Sequence, residues 1–287
     1  MKLIQQSFKI LEQTDFSLIG IKKFIERCGR VCYKSENRIT DDSYEKFVNM
    51  LVKRDHARPL EFGTVHLQMY ISDFHKLRDT LCINNMWNDQ WIKYHYAGNL
   101  TYVTTNYRYY LAIIKVFPSA EKNFVPQDNK LYPKRYTVHF ITSRGIMDEF
   151  RTHIGLSHLA ESSRYCSYDK NRFGNELTFI IPNWVNTNCP NKEQEGPSVA
   201  SIEWSTVMLD AEASYMNLIK MGCTAQEARE VLPLSVKSEL ISCGFEDAWS
   251  NFFYRRCAKD AHPMAREIAT KVRDKFNEFK NETKESE

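Results

Sequence analysis

Strand-like and helix-like segments follow one another along this chain without the regular β-α-β rhythm that a parallel, doubly wound sheet needs. Thr64–Ile71 (TVHLQMYI) alternates polar and apolar residues, as a half-buried strand does. Thr101–Val116 and Arg135–Thr142, rich in Tyr, Val, Thr and Ile, read as strands, and Leu177–Ile181 as a short buried one ending at Pro182. Residues 15–54 carry apolar residues at helical spacing, with Asp41–Asp42 opening a helix over Ser43–Lys53. Asp73–Asn88, Ser143–His158 and Ile202–Met221 have the same spacing. Thr224 and Glu227 form a capping box for a helix that stops at Pro233. Asp247–Lys280 reads as one long helix, open to a break at Pro263, and the charged last dozen residues as a frayed end. Phe117–Pro133, with three prolines, reads as an exposed loop, and residues 183–199 as another. No repeat or linker interrupts the pattern. The expectation is a single α+β domain over residues 1–287, a mostly antiparallel sheet packed by long helices.

The chain has 287 residues, enough to bury a sizeable core, and 43% hydrophobic with 26% charged residues excludes disordered and fibrous classes. The longest apolar runs, around Leu111–Ile114 and Phe179–Pro182, fall far short of the roughly 20 residues that cross a bilayer. The N-terminus MKLIQQSFKILEQ lacks the features of a signal peptide, so a cytoplasmic protein without membrane contact is expected. A net charge of +3 is too mild to argue for nucleic acid. The eight cysteines contain no C-x-x-C pair and the histidines no zinc spacing, which points to reduced thiols and no metal.

Glycine is scarce, 10 of 287 residues, and neither G-x-G-x-x-G nor G-x-x-x-x-G-K-[ST] occurs. Any bound phosphate must therefore be held by side chains, which directs attention to arginine. In Arg151–Tyr165 (RTHIGLSHLAESSRY), a helix would set His153, Ser157, Glu161 and Arg164 on one broad face, fit to grip a phosphate and a heterocycle; a solvated face is the competing reading. In Glu227–Pro233 (EAREVLP), Arg229 stands in the first turn after the capping box, where the helix dipole disfavours a cation. That hints at another task, although a surface pair with Glu227 or Glu230 explains it equally. Asn251–His262 (NFFYRRCAKDAH) sets adjacent arginines beside Phe252 and Phe253, which suits a planar anion or, alternatively, a core helix with charged edges. Cys166 is either a nucleophile or a buried structural thiol.

Taken in order, these segments resemble the flavin-dependent thymidylate synthases, from about His56 to Ala269 with an apparent insertion around 73–130. That family's signature is R-H-R, seven residues, Ser, and shortly Arg-Tyr. Here it reads Thr152-His153-Ile154, seven residues, Ser162, then Ser163-Arg164-Tyr165. SSRYCSYDKNRFGNELTFIIP, EAREVLP and NFFYRRCAKDAHPMAREIA resemble the following blocks, and His56-Ala57-Arg58-Pro59-Leu60-Glu61 the upstream H-x-x-P-x-E block. Both arginines flanking the histidine are replaced, by Thr152 and Ile154, with Arg151 one place early. The acidic residue expected two before the serine is Ala160, with Glu161 displaced by one.

The resemblance implies methylation of dUMP to dTMP, with methylenetetrahydrofolate as carbon donor and hydride from FAD that NADPH reduces, in a homotetramer with shared active sites. It implies that Ser162, Ser163, Arg164 and Arg229 hold the nucleotide. Arg256 would both bind it and act catalytically, as a fixed cation favouring ionisation at uracil N3. His56, Glu61, His153, Glu161 and Asn251 would contact the flavin. No nucleophilic cysteine is required; the motif of the cysteine-dependent synthases is not recognisable, and Cys189-Pro190 sits in a polar loop. Two alternatives remain: related one-carbon chemistry giving a hydroxymethylated or otherwise modified pyrimidine nucleotide, and a nucleotide-binding relative without turnover.

Overall fold

Antiparallel pairing of short strands organises the protein, described here by a computed structural model over residues 1–164, 166–170, 174–185 and 198–285, with side chains through residue 279. One four-stranded sheet has the order β2-β7-β10-β8, from Ser7–Leu11, Arg135–Ser143, Lys237–Phe245 and Ser157–Ala160. A second has the order β4-β5-β3-β6, from Ile92–Ala97, Leu100–Asn106, Thr64–Tyr70 and Phe124–Val125. Every pairing within both is antiparallel. A third, two-stranded sheet pairs β1 (Lys2–Ile4) in parallel with β9 (Thr178–Ile180). The α+β class holds, with the strands divided among three sheets.

β10 is buried along both faces, since successive side chains alternate sides. Leu240 faces a core with Phe140, Phe150, Trp249, Phe252 and Ile268. These come from β7 and from helices α5 (Arg144–Arg151), α8 (Glu246–Arg256) and α9 (Pro263–Glu285). Ile241 and Cys243 face Phe24, Cys28 and Val31 of α1 (Leu18–Val31). The second sheet packs Val65, Leu67 and Val103 against α2 (Ser43–Lys53), α3 (Ile71–Ile83) and α4 (Tyr107–Val116). α6 (Val199–Lys220) buries Met208 and Tyr215 against Leu177 and Phe179. The segment 73–130 is thus structured throughout much of its length: it supplies α3, α4 and three of the second sheet's four strands.

Several sequence expectations need correction. Thr101–Val116 is not one strand. β5 stops at Asn106, whose side chain accepts the Tyr109 N–H at 2.9 Å and caps α4. Tyr107, Tyr110 and Ile113 then fall on one buried helical face, so tertiary packing overrides the β propensity of this stretch. β4 was not anticipated. The helix expected over Ser143–His158 ends at Arg151, because Gly155 adopts φ +100° and the chain turns into β8. The single helical face holding His153, Ser157, Glu161 and Arg164 therefore does not exist. Phe117–Pro133 is not wholly exposed, since it contributes β6 and buries Ala120 and Tyr132. The break that the sequence left open at Pro263 is present: Asp247–Lys280 divides into α8 and α9, with Pro263 opening the second. That second helix extends to Glu285. Tyr165, most of the 183–199 segment and Cys189-Pro190 lie outside the described residues. The seven described cysteines are free thiols.

Candidate functional site

The ends of β7 and β10 bring cations together. Ser143 ends β7 and caps α5, accepting the Ile146 N–H at 3.4 Å, so Arg144 stands at the first turn. Its own N–H donates to the Val236 carbonyl at 2.9 Å, which fixes it beside Lys237, the first residue of β10. A third cation arrives from the capping box: Glu227 accepts the Thr224 N–H at 2.8 Å and starts α7 (Ala225–Ala228). That helix is one turn long, so Arg229 lies at its C-terminal end, where a cation is favoured. The expectation that its place opposes the helix dipole is corrected. Arg144, Arg229 and Lys237 line a cavity of about 170 Å³ together with Glu161, Ser163 and Tyr168.

Two of these cations are loosely held. Arg229 Nε lies 3.3 Å from Glu230, which is largely exposed, and Arg144 Nε 3.3 Å from Asp148, which is half-buried and also lies 3.1 Å from Arg151. Such surface pairs contribute only about 0–1 kcal/mol, so either guanidinium is free to exchange its partner for a phosphate. Lys237 is held far more firmly. Its Nζ donates to Glu161 at 2.8 Å and also to Glu239. Glu239 further accepts from Lys34 at 2.7 Å and lies 2.8 Å from His139 Nε2, while the Tyr168 hydroxyl donates to Glu161 at 3.3 Å. Burial alone would raise the Glu239 pKa, but His139, Lys237 and Lys34 outweigh it and hold the carboxyl well below its usual range. The same network separates this cavity from a larger one, about 390 Å³, that Lys2, Lys34, Tyr168 and Lys237 also line.

The residues implied by the sequence fall into three places. Ser163, Arg229 and Glu161 share the cation-lined cavity. Ser162 and Arg164 flank it: Ser162 N–H donates to the Cys32 carbonyl at 3.1 Å, and exposed Arg164 donates to Gln226 at 3.1 Å. His153 and Arg256 lie where α5 meets α8, and Asn251 stands on α8, where it accepts from Arg255 at 3.4 Å. Buried His153 stands edge-on to Phe252 at 5.4 Å, its Nε2 has no hydrogen-bond partner among the described residues, and burial lowers its pKa. Arg256 Nη1 lies 3.2 Å from Glu149, and Asn251 is exposed. Arg256 does not line the cavity that holds Arg229. Glu61 is buried elsewhere, accepting from Arg108 at 2.5 Å and Ser157 at 2.6 Å, and His56 is exposed. Cys166 is fully buried beside Leu177 and Phe179.

Sequence reasoning missed Arg144, Lys237, Lys34, Glu239 and His139. Lys237 and Glu239 two apart on a strand share a face, which was a usable signal. The β10–β7 register that sets Glu239 opposite Ile141 and near His139 was not. Among the described residues, no helix is long and apolar enough to cross a membrane. Also among them, no group of three His, Cys, Asp or Glu is placed to hold a metal ion.

An antiparallel sheet whose end holds a cation-lined cavity above buried ion pairs defines an α+β protein suited to an anionic small molecule. Residues 134–279 match the family described as thymidylate synthase complementing protein, and the chain belongs to that family, the flavin-dependent thymidylate synthases. The match runs from β7 to α9 and includes Arg144, Arg229 and Lys237. The chain is also similar to a solved structure, a UMP/dUMP methylase PolB from Streptomyces cacaoi bound with 5-Br UMP. That likeness is 13% in identity with a TM-score of 0.46, over 97% of this chain and 92% of that one. No curated protein matches.

Proposed function

We propose that the protein methylates dUMP to dTMP, with methylenetetrahydrofolate as carbon donor and NADPH as reductant of a bound FAD, in a homotetramer. The observation that carries this reading is the convergence of Arg144, Arg229 and Lys237 on one cavity inside the family segment. The two loosely paired guanidiniums take the phosphate, and the Ser163 hydroxyl adds a neutral donor. Lys237, Glu161 and Tyr168 form a polar wall whose positions are fixed by their own hydrogen bonds, so it orients the rest of the nucleotide without reorganising.

The residues fit a flavin on one further observation. Among the described residues, His153 Nε2 and Arg256 Nε are buried without a hydrogen-bond partner, so the α5–α8 junction offers polar atoms that a heterocycle's edge would satisfy. His153 and Asn251 would hold it there, and it would supply the hydride. Arg256, gripped by Glu149, is a fixed cation that favours the ionised pyrimidine. Since it stands apart from the Arg229 cavity within one chain, the reading assigns it to a neighbouring subunit's nucleotide.

The test is anaerobic turnover with product mass. A flavin spectrum that bleaches with NADPH and recovers on adding dUMP and methylenetetrahydrofolate, with dTMP as product, is expected. Arg256→Ala is expected to abolish turnover in a folded protein, and mixing it with Arg229→Ala to restore part of it. No flavin uptake under any condition overturns the proposal.

A further inference from the structure

Four described residues other than glycine adopt positive φ: Lys34, Asp55, Asn85 and Asn175. The last three carry the short polar side chains that tolerate this conformation. Lys34, at φ +46°, does not. It stands where the chain leaves α1. Its own N–H donates to the Val31 carbonyl at 3.2 Å, and the Ser35 N–H reaches back to the Arg30 carbonyl at 3.1 Å. Those two bonds close a Schellman turn with Lys34 at the left-handed position, where helices usually place glycine. A lysine there retains a backbone strain that glycine would relieve, and such outliers persist where a side chain has a task.

That side chain reaches from α1 to β10. Its Nζ donates to Glu239 Oε1 at 2.7 Å and to Glu36 at 3.0 Å. The Lys237 ammonium donates to the same Glu239 oxygen, and His139 Nε2 lies 2.8 Å from the other one. Burial favours a neutral Lys34 amine, but Glu239 and then Glu36 outweigh it, raise its pKa and keep it an ammonium. Two like charges therefore share one oxygen. Lys34 takes up part of the attraction that Glu239 exerts on Lys237, and it also repels Lys237 directly. Both effects turn Lys237 toward Glu161, 2.8 Å away, with which it lines the Arg144–Arg229 cavity.

We infer that Lys34 is a positioning residue for that cavity, acting through Glu239 to hold the Lys237 ammonium where the nucleotide binds. The inference rests on the nucleotide reading proposed above. Lys34 does not itself line the nucleotide cavity and lies outside the 134–279 family segment. It lines the larger cavity of about 390 Å³ behind the network, and its side chain is 19% exposed. Without it, Glu239 draws Lys237 to itself and the nucleotide loses a fixed donor.

Calorimetric titration of dUMP into the wild type, Lys34→Gly, Lys34→Gln and Lys34→Arg tests it, on protein shown by thermal melts to be folded. Glycine suits the backbone and removes only the side chain. Affinity is expected to fall roughly tenfold in Lys34→Gly, within the range for coupled members of one network. The 390 Å³ cavity gives a small solute access, so propylammonium is expected to restore most of that loss and uncharged 1-propanol none of it. Lys34→Gln and Lys34→Arg share the backbone strain and differ in charge, and they decide the question if Lys34→Gly does not fold. Only Lys34→Gln is expected to lose affinity. Unchanged affinity in Lys34→Gly and Lys34→Gln overturns the inference and leaves the nucleotide reading standing. So does a loss that propylammonium restores no better than propanol, or one that is equal in Lys34→Gln and Lys34→Arg, because the side chain then serves packing alone. A wild type that does not bind dUMP overturns the nucleotide reading, and this inference with it.

Discussion

The two four-stranded sheets use the same antiparallel pairing and bury different chemistry. The strands of β4-β5-β3-β6 contain no Asp or Glu at all. Their core is filled by rings, Phe74 lying 4.5 Å from Tyr94 and 6.3 Å from Trp87, and by aliphatic side chains. The strands of β2-β7-β10-β8 close over Glu239, Lys237, His139 and His158, with Glu161 directly after β8. Removing an ion from water costs several kcal/mol, which pairing repays only where the geometry is good. The aromatic sheet closes with no carboxylate on its strands, His66 being the buried titratable group there. The charges at the end of the β2-β7-β10-β8 sheet are therefore not demanded by antiparallel pairing, and their convergence with Arg144 and Arg229 is what a ligand would exploit.

The sharpest way to break that contrast is to damage the aromatic sheet and ask whether the other notices. Phe74 is fully buried, and Phe74→Ala is expected to cost about 3–5 kcal/mol of stability through lost transfer energy and a cavity. dUMP affinity of the folded fraction should not change. Urea unfolding and a dUMP titration at a temperature where the variant is folded check both halves. A joint loss of stability and affinity would show that the sheets act as one unit.

Acid separates the sheets by their histidines. Burial holds the His158 pKa in the charged sheet down at about 4 in the folded protein, against about 6.5 for an unperturbed histidine, so the unfolded chain binds more protons between these values. Its contribution is intact above about pH 6.5 and is lost as pH falls toward 4, at most about 3 kcal/mol at 1.36 kcal/mol per unit. Burial also lowers His66 in the aromatic sheet, where it stacks on Tyr132 at 4.1 Å. Unfolding midpoints over this window should flatten in His158→Asn. A slope that persists there and disappears in His66→Asn would move the acid sensitivity to the aromatic sheet.

At the cavity itself, Arg229→Ala removes one charge-assisted contact. A loss of about 1.5–3 kcal/mol in dUMP binding is expected, roughly ten- to hundredfold in Kd, with stability within about 0.5 kcal/mol of the wild type. Isothermal titration and thermal melts measure the pair. An unchanged Kd would separate the nucleotide from this end of the sheet.

How much of this was legible in the sequence depends on the range of the interaction. The capping box at Thr224 and the helix at Ser43–Lys53 are local, and both appear where the residues put them. The turn at Gly155 is local too, yet a helical reading ran through it, because one glycine inside an apolar periodicity is a weak stop signal until its positive φ is seen. Arg229 was legible as a residue with a task, whereas Arg144 and Lys237 were not. They meet only through the β7–β10 register, which brings residues about 90 positions apart side by side. The division of strands into separate sheets was hidden for the same reason.

Cys166 offers the smallest effect and a clean limit on where the chemistry lies. It is fully buried among Leu177, Phe179, Met208 and Tyr215, two residues from Tyr168, whose hydroxyl donates to Glu161. Cys166→Ala leaves those hydrogen bonds in place and removes one sulfur from an apolar contact, so a loss near 1 kcal/mol is expected, about the centre of point-mutant distributions. Turnover below the melting transition should be unchanged, because a thiol without solvent access has no route to a substrate until the surrounding core opens. Initial rates and thermal melts on one preparation decide it. A folded but inactive variant would make the thiol a participant, and the reacting centre would then lie in the hydrophobic cluster under α6 and not at the charged end of the sheet.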